Sequence, residues 1–489
     1  MTPTDRQSVD RAYVSGLAWT AAAKWFLQIV SWVSTLWVAR LLSPDDYGIV
    51  GMAGVYLGLA FLLSEGGLGA SIIRFRALTD TTLRQLNSIS LLLGCLAAVI
   101  SWLLAQPLAN FFKTPDLSLV LWVLSFNFVA SGLKIVPYSL LRRDLNYRYL
   151  ALADGLSAII ATLSTLTLAL TGAGYWALVG GQLVQAASLT ILPILKRPIG
   201  FATPSYKSLA PPLAFGYRMI QQRVAWYLYS SADKIIIGRV LGQASLGAYS
   251  LATTLANLPV EKITSMTARV TSTVFAAVQD SPQEMGRYFL RTTEVLAVIT
   301  MPIATGLALV APDLVYGVLG PSWEPAAVPI QILALVSVVK TIHPLGAMVA
   351  NLRGKEVVLS RLNIALLFIM PPSMWYATRW GIEGVAAVWL IVFPAFAIIF
   401  VWIGCKTLEI SLRDYARLLE PAVTSTSIMA VTVMLFQEIA NDARPLARLA
   451  LAVGVGVLAY AATLLLFYRK RLREIARFAK RFRSASTAS

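Results

Sequence analysis

Runs of about twenty apolar residues recur along this sequence from Ser15 to Phe467, each ended by charge, proline or glycine. A hydrocarbon layer is crossed by roughly 20 residues of helix, so the runs define a chain whose main solvent is lipid. Composition agrees. Only 13% of residues are charged and mean hydropathy is +0.69, whereas soluble domains carry about 25% charged residues. The first run, 15–39, is too long for a signal-peptide core and Lys24 interrupts it, so it reads as a permanent helix.

Breaks between runs give fourteen expected helices, at 15–39, 47–63, 87–105, 117–136, 152–170, 175–194, 211–231, 246–260, 290–311, 326–347, 362–378, 383–404, 418–437 and 447–467. With the N-terminus in the cytoplasm and sides alternating, 29 of the 41 Lys and Arg residues fall on the cytoplasmic side, 7 on the other and 5 inside spans. This positive-inside bias places both termini in the cytoplasm and supports an even helix count. It also absorbs the net charge of +17, which in a soluble chain would point to nucleic acid; no nucleic-acid partner is expected here. The tail after Tyr468 is basic, with Leu472, Ile475, Phe478, Ala479 and Phe482 near one helical face. Lipid headgroups would suit it, and a plain orientation anchor explains it equally well.

An internal repeat is visible. Arg40–Gly48 realigns without a gap on Arg239–Gly247 at an offset of 199, and later pieces agree near 206. The expected organisation is an N-terminal lobe over 1–200, a C-terminal lobe over 201–410, two further helices over 411–467 and a basic tail over 468–489. Parallel repeats in a carrier place substrate between the halves.

Lys24 falls on Arg223 at the 199 offset, each about ten residues into the first helix of its half, or on the order of 15 Å deep. A charge at that depth costs at least about 2.5 kcal/mol unless it faces a polar interior. Gln28 lies one turn from Lys24, Gln222 one turn from Arg218, and Tyr227 one turn from Arg223, giving cations accompanied by hydrogen-bonding and stacking groups. Lys134 and Lys340 correspond at the 206 offset. Asp154, Asp233 and Glu294 fall near expected helix ends, leaving no carboxylate in mid-span. Interior cations without acids call for an anion, and arginine suits phosphate. Lys24, Arg223, Arg218, Lys340, Gln28, Gln222 and Tyr227 are therefore the candidate substrate-binding set. Arg40, Asp45, Asp233 and Arg239 are expected in gating or inter-lobe loops. Cys95 and Cys405 read as buried small hydrophobes, and His343 is the only histidine. Neither a metal nor a cofactor is expected, and no GxxxxGK[ST] phosphate loop occurs.

These segments resemble the Wzx-type polysaccharide flippases, the polysaccharide-transporter branch of the MOP exporter superfamily, and within it the WzxC-like group. The likeness is carried by Ala39-Arg-Leu-Leu-Ser-Pro-Asp-Asp-Tyr-Gly48, Glu65-Gly-Gly-Leu-Gly-Ala70, Leu141-Arg-Arg-Asp-Leu145 and Gly174-Tyr-Trp-Ala-Leu178. In the second half it is carried by Asp233-Lys-Ile-Ile-Ile-Gly-Arg-Val-Leu-Gly242, Gly247-Ala-Tyr-Ser-Leu-Ala252 and Gly320-Pro-Ser-Trp323. The resemblance implies an all-α, MOP/MATE-like integral membrane protein of the bacterial inner membrane, with two six-helix lobes and two extra helices. It further implies alternating access and a substrate of undecaprenyl-pyrophosphate carrying an oligosaccharide, with a polymerase and export machinery as neighbours. The family has no invariant catalytic motif, so no site is carried over.

A lipid II flippase shares the substrate chemistry, and a MATE-type exporter shares the architecture but should hold carboxylates where this chain has Lys24 and Arg223. A membrane glycosyltransferase or polymerase would give Asp45 and Asp46 a metal-binding role. Against that enzyme, every outward loop is short and no second acidic cluster completes a metal site. The acid pair also reads as a turn and helix cap.

Overall fold

The computed structural model describes residues 32–75, 78–205, 209, 224, 226–278 and 281–474, with only the side chains of Thr271, Val274, Phe275 and Val278 over 261–278. Its contacts divide the chain into two compact units, Met1–Arg223 and Val224–Ser489. Among the described residues the regular structure is helical.

The first unit contains α1 (32–41), α2 (Pro44–Ser64), α3 (Leu68–Arg74), α4 (Asp80–Phe112), α5 (Leu117–Leu124), α6 (Phe126–Arg143), α7 (Tyr147–Leu170) and α8 (Tyr175–Lys196). Helix α2 starts where local chemistry dictates. Pro44 occupies the first turn, the Asp46 amide donates to Ser43 Oγ at 3.2 Å, and Asp46 Oδ2 accepts from the Ser43 amide at 2.8 Å. That reciprocal capping box occupies the Asp46 carboxylate as a helix cap. Helix α6 packs against α3, α4 and α8, and α7 packs against α8. After α8 the chain lies against α4: Gln85 donates to the Thr203 carbonyl at 2.9 Å and Asn87 to that of Ile199 at 3.2 Å. Leu209 joins a core with Leu68, Ile72, Leu86 and Val136.

The second unit contains α9 (226–230), α10 (Ala232–Val240), α11 (Gln243–Ala277), α12 (Pro282–Leu314), α13 (Ala327–Leu352), α14 (Glu356–Ala377), α15 (Gly381–Thr407), α16 (Leu412–Ile439) and α17 (Pro445–Phe467). Its packing repeats that of the first unit: α12 on α13, α13 on α15 and α14 on α15 correspond to α4 on α6, α6 on α8 and α7 on α8. The offset near 206 maps each of these helices onto its counterpart. Helices α16 and α17 pack on each other and on α12, fastened by Arg448 Nε donating to the buried Asp313 at 2.7 Å.

Small residues bring the central helices close, as lipid-embedded helices require. A Cβ on Gly132 would lie 2.6 Å from the Ser90 carbonyl, and Ser90 Oγ donates to the Gly132 carbonyl at 2.7 Å. In the second unit a Cβ on Gly346 would lie 2.8 Å from the Phe400 carbonyl. Leu103, Phe368, Ile391 and Leu466 are each more than 70% exposed, an apolar exterior that only lipid makes tolerable.

Ten helical segments among the described residues are long and apolar enough to cross a membrane. One, Glu356–Thr407, comprises α14 and α15 packed on each other across a turn ending at Gly381, φ +67. The expected first and seventh helices fall largely outside the described residues, and α11 is not among the ten. Cys405 is buried as expected, whereas Cys95 is exposed on α4.

Candidate functional site

Helix α10 changes the sequence-based picture most. The expected seventh helix ends at residue 231, but after a turn at Ser231 the chain is helical again to Val240. The apolar run Ile235-Ile236-Ile237 lies within α10, and the charges of Asp233 and Lys234 had made it look like a loop. Asp233 and Arg239 are therefore helical residues. Arg40 likewise lies in α1 and Asp45 in the first turn of α2, leaving only Leu42 and Ser43 between those helices. None of the four expected loop residues lies in a loop.

Asp233 is 4% exposed and eight residues from Leu241, about 12 Å along a helix. Its Oδ2 accepts from Tyr249 Oη at 2.9 Å and from Trp389 Nε1 at 3.0 Å, and its Oδ1 accepts from the Lys234 amide at 2.7 Å. Lys340 Nζ stands 3.9 Å from the Trp389 ring centroid and feels the attraction of Asp233. Four elements, α10, α11, α13 and α15, thus build one charged site in which Asp233 attracts Lys340 and Lys234 repels it. Lys340 lies midway along α13, so a carboxylate does reach the interior of the spans. The expectation of interior cations without acids fails for this lysine. An ammonium over an indole face and beside a carboxylate satisfies much of its charge locally.

Lys134 occupies the corresponding place on α6. It is half-buried, and Glu65 and Asp154 both attract it; Asp154 in turn accepts from Tyr138 Oη at 3.2 Å. Lys24, Gln28, Arg218, Gln222 and Arg223 lie outside the described residues. Tyr227 is half-buried on α9.

One turn beyond Lys340 the same face of α13 opens on a cleft of about 460 Å³. His343, Ala347 and Asn351 line it at helical spacing, with Trp226 and Tyr229 from α9, Asn363 from α14 and Phe400 from α15. The His343 ring meets Phe393 and Phe400 edge-on at 5.1 and 5.6 Å. Trp226 is 58% exposed. Aromatic faces with a few amide and imidazole groups can hold a polyhydroxylated, uncharged moiety by stacking and hydrogen bonding. Sequence reasoning chose Tyr227 and missed its neighbours Trp226 and Tyr229; the stripe 343, 347, 351 was the available signal. The described residues hold no cluster of three or more His, Cys, Asp or Glu side chains able to bind a metal ion.

A family profile described as "Polysaccharide biosynthesis protein" matches residues 37–328, more than half of the chain. The lipopolysaccharide biosynthesis protein WzxC of Escherichia coli is 25% identical over 377 residues, covering 74% of each chain. The succinoglycan biosynthesis transport protein ExoT of Rhizobium meliloti is 26% identical, covering 72% of this chain and 71% of its own. Among solved structures, the lipid II flippase MurJ in an inward closed conformation superposes with a TM-score of 0.71. It is 15% identical, and the match covers 92% of this chain and 99% of MurJ; that likeness establishes the fold.

Proposed function

Because the chain belongs to the polysaccharide biosynthesis protein family, we propose that it is a flippase for undecaprenyl-pyrophosphate-linked oligosaccharide repeat units. It carries them from the cytoplasmic to the periplasmic leaflet of the bacterial inner membrane, with both termini in the cytoplasm, and exposes its site alternately to the two sides. The observation that carries the reading is the cleft beside α13, where Trp226, His343, Asn351 and Asn363 set stacking and hydrogen-bonding groups into a mostly apolar lining. The relatives named for polysaccharide biosynthesis and transport point the same way.

The division of labour follows from charge. Lys340 is already engaged by Trp389 and Asp233, which weighs against it as a direct phosphate ligand. Lys24, Arg223 and Arg218 remain the groups assigned to the pyrophosphate, where charge-assisted and bidentate hydrogen bonds are strongest. Trp226, Asn351 and Asn363 meet the sugars, with Gln28, Gln222 and Tyr227 beside the cations. The lipid tail stays in the bilayer. The cargo leaves chemically unchanged, so the protein is a carrier rather than an enzyme, and it hands its product to a polymerase and export machinery.

The test is transfer in liposomes reconstituted with the full chain and a fluorescent undecaprenyl-pyrophosphate oligosaccharide placed in one leaflet. Chain-dependent transfer is expected, slowed about tenfold in W226A/N351A, the equivalent of about 1.4 kcal/mol. No chain-dependent transfer would sink the proposal, and transfer of lipid II alone would assign the chain to the peptidoglycan substrate instead.

A further inference from the structure

Glu294 on α12 is fully buried, yet it is a carboxylate. Its Oε2 accepts from Arg291 Nη1 at 2.9 Å and its Oε1 from Arg471 Nη1 at 3.1 Å. Arg291 Nη2 continues to Glu474 Oε2 at 2.7 Å. Two arginines and two glutamates thus close a charge-balanced network between α12 and the chain just past α17. Tyr468 adds a neutral bond, its Oη accepting from Thr424 Oγ1 of α16 at 3.0 Å.

Residues 469–474 are helical. The network fixes which way that turn faces, because Arg471 and Glu474, one turn apart, both bond to α12 while Tyr468 bonds to α16. Arg469, Lys470 and Arg473 fall on the opposite arc and are exposed. None of the three is in an ion pair with a described carboxylate. Glu474, the one acid of this turn, pairs with Arg291, and Arg471 pairs with Glu294 of α12, so three cations of the turn are left over. They begin two residues after Phe467, the last residue of a span, which is headgroup level. The sequence beyond Glu474 adds Arg477, Lys480, Arg481 and Arg483 and no acid.

We propose that the outward arc formed by Arg469, Lys470 and Arg473 is a binding surface for anionic phospholipid headgroups, held in orientation by the Glu294 network. A charge-balanced dock keeps the turn on α12 at any lipid composition, while the surplus cations discriminate between anionic and zwitterionic lipid. Cations near a membrane surface attract anionic lipid additively, so three on one arc make a selective patch. An orientation anchor alone would not require one face of the turn to be pinned by a buried carboxylate.

The experiment is to reconstitute the full chain in bicelles containing equal amounts of phosphatidylglycerol and phosphatidylcholine, and to measure the lipid retained per chain on purification. The wild type is expected to enrich phosphatidylglycerol, with affinity falling roughly fivefold per cation removed, so R469Q/K470Q/R473Q should return the ratio to that of the mixture. E294Q, which releases the dock while leaving the three cations in place, should lower the enrichment in part. Should the triple variant fail to accumulate, R473Q alone reads the same ratio with a partial fall. Unchanged enrichment in the triple variant, or in R473Q where that replaces it, would overturn the proposal. So would full wild-type enrichment in E294Q, or displacement of the lipid by inorganic phosphate beyond that by chloride at equal ionic strength.

Discussion

Lys134 and Lys340 occupy the same register on the central helices of the two units, α6 and α13, yet their charges are handled in opposite ways. Lys134 lies half-buried between Glu65 and the exposed Asp154. Lys340 sits over the face of Trp389, near an Asp233 that Tyr249 and Trp389 hold by hydrogen bonds. The repeat has preserved helix order and the position of a lysine while the electrostatic surroundings diverged. A mid-membrane cation therefore does not by itself mark a substrate ligand; what neutralises it decides its role.

The contrast predicts unequal costs of removal. Lys340→Met removes the ammonium from the Trp389 face and its attraction to the buried Asp233, at an expected cost of about 3 kcal/mol, read as a fall in unfolding midpoint in detergent. Asp233→Asn combined with Lys340→Met should recover most of that loss, because both charges then disappear together. If the double variant is no more stable than the single, the two groups are not coupled. Next in size is Trp389→Phe, which removes a hydrogen bond to a charged group and weakens the cation–aromatic contact, for about 2–3 kcal/mol by the same measurement. Smallest is Lys134→Met, at or below about 1 kcal/mol, as for other solvent-accessible charge pairs. A Lys134 variant as unstable as the Lys340 variant would dissolve the comparison.

The helices were legible because apolar length is a coarse signal, and the offset near 206 correctly paired α4, α6, α7 and α8 with α12, α13, α14 and α15. A cap before α2 was legible at Asp45 and Asp46 from a short polar cluster before an apolar run, but the cap residue is Ser43 and both acids lie in the first turn. Asp233 was not. An acid followed by a lysine looks like a helix end, and only packing reveals that Tyr249, 16 residues on, and Trp389, 156 residues on, turn their donors toward it. Asp313 escaped notice for the same reason, since its partner Arg448 lies 135 residues away. The cleft was half legible: His343, Ala347 and Asn351 show helical spacing, but their meeting with Trp226 and Phe400 depends on tertiary packing.

With Lys340 held by Trp389 and Asp233, the proposed handling of the anionic cargo rests on Lys24 and Arg223. The most direct test is transfer of the fluorescent undecaprenyl-pyrophosphate oligosaccharide in liposomes bearing Lys24→Gln/Arg223→Gln, with insertion and unfolding midpoint measured on the same preparation. The account predicts normal insertion and stability with transfer lost. Transfer at the wild-type rate by the correctly inserted double variant would contradict it.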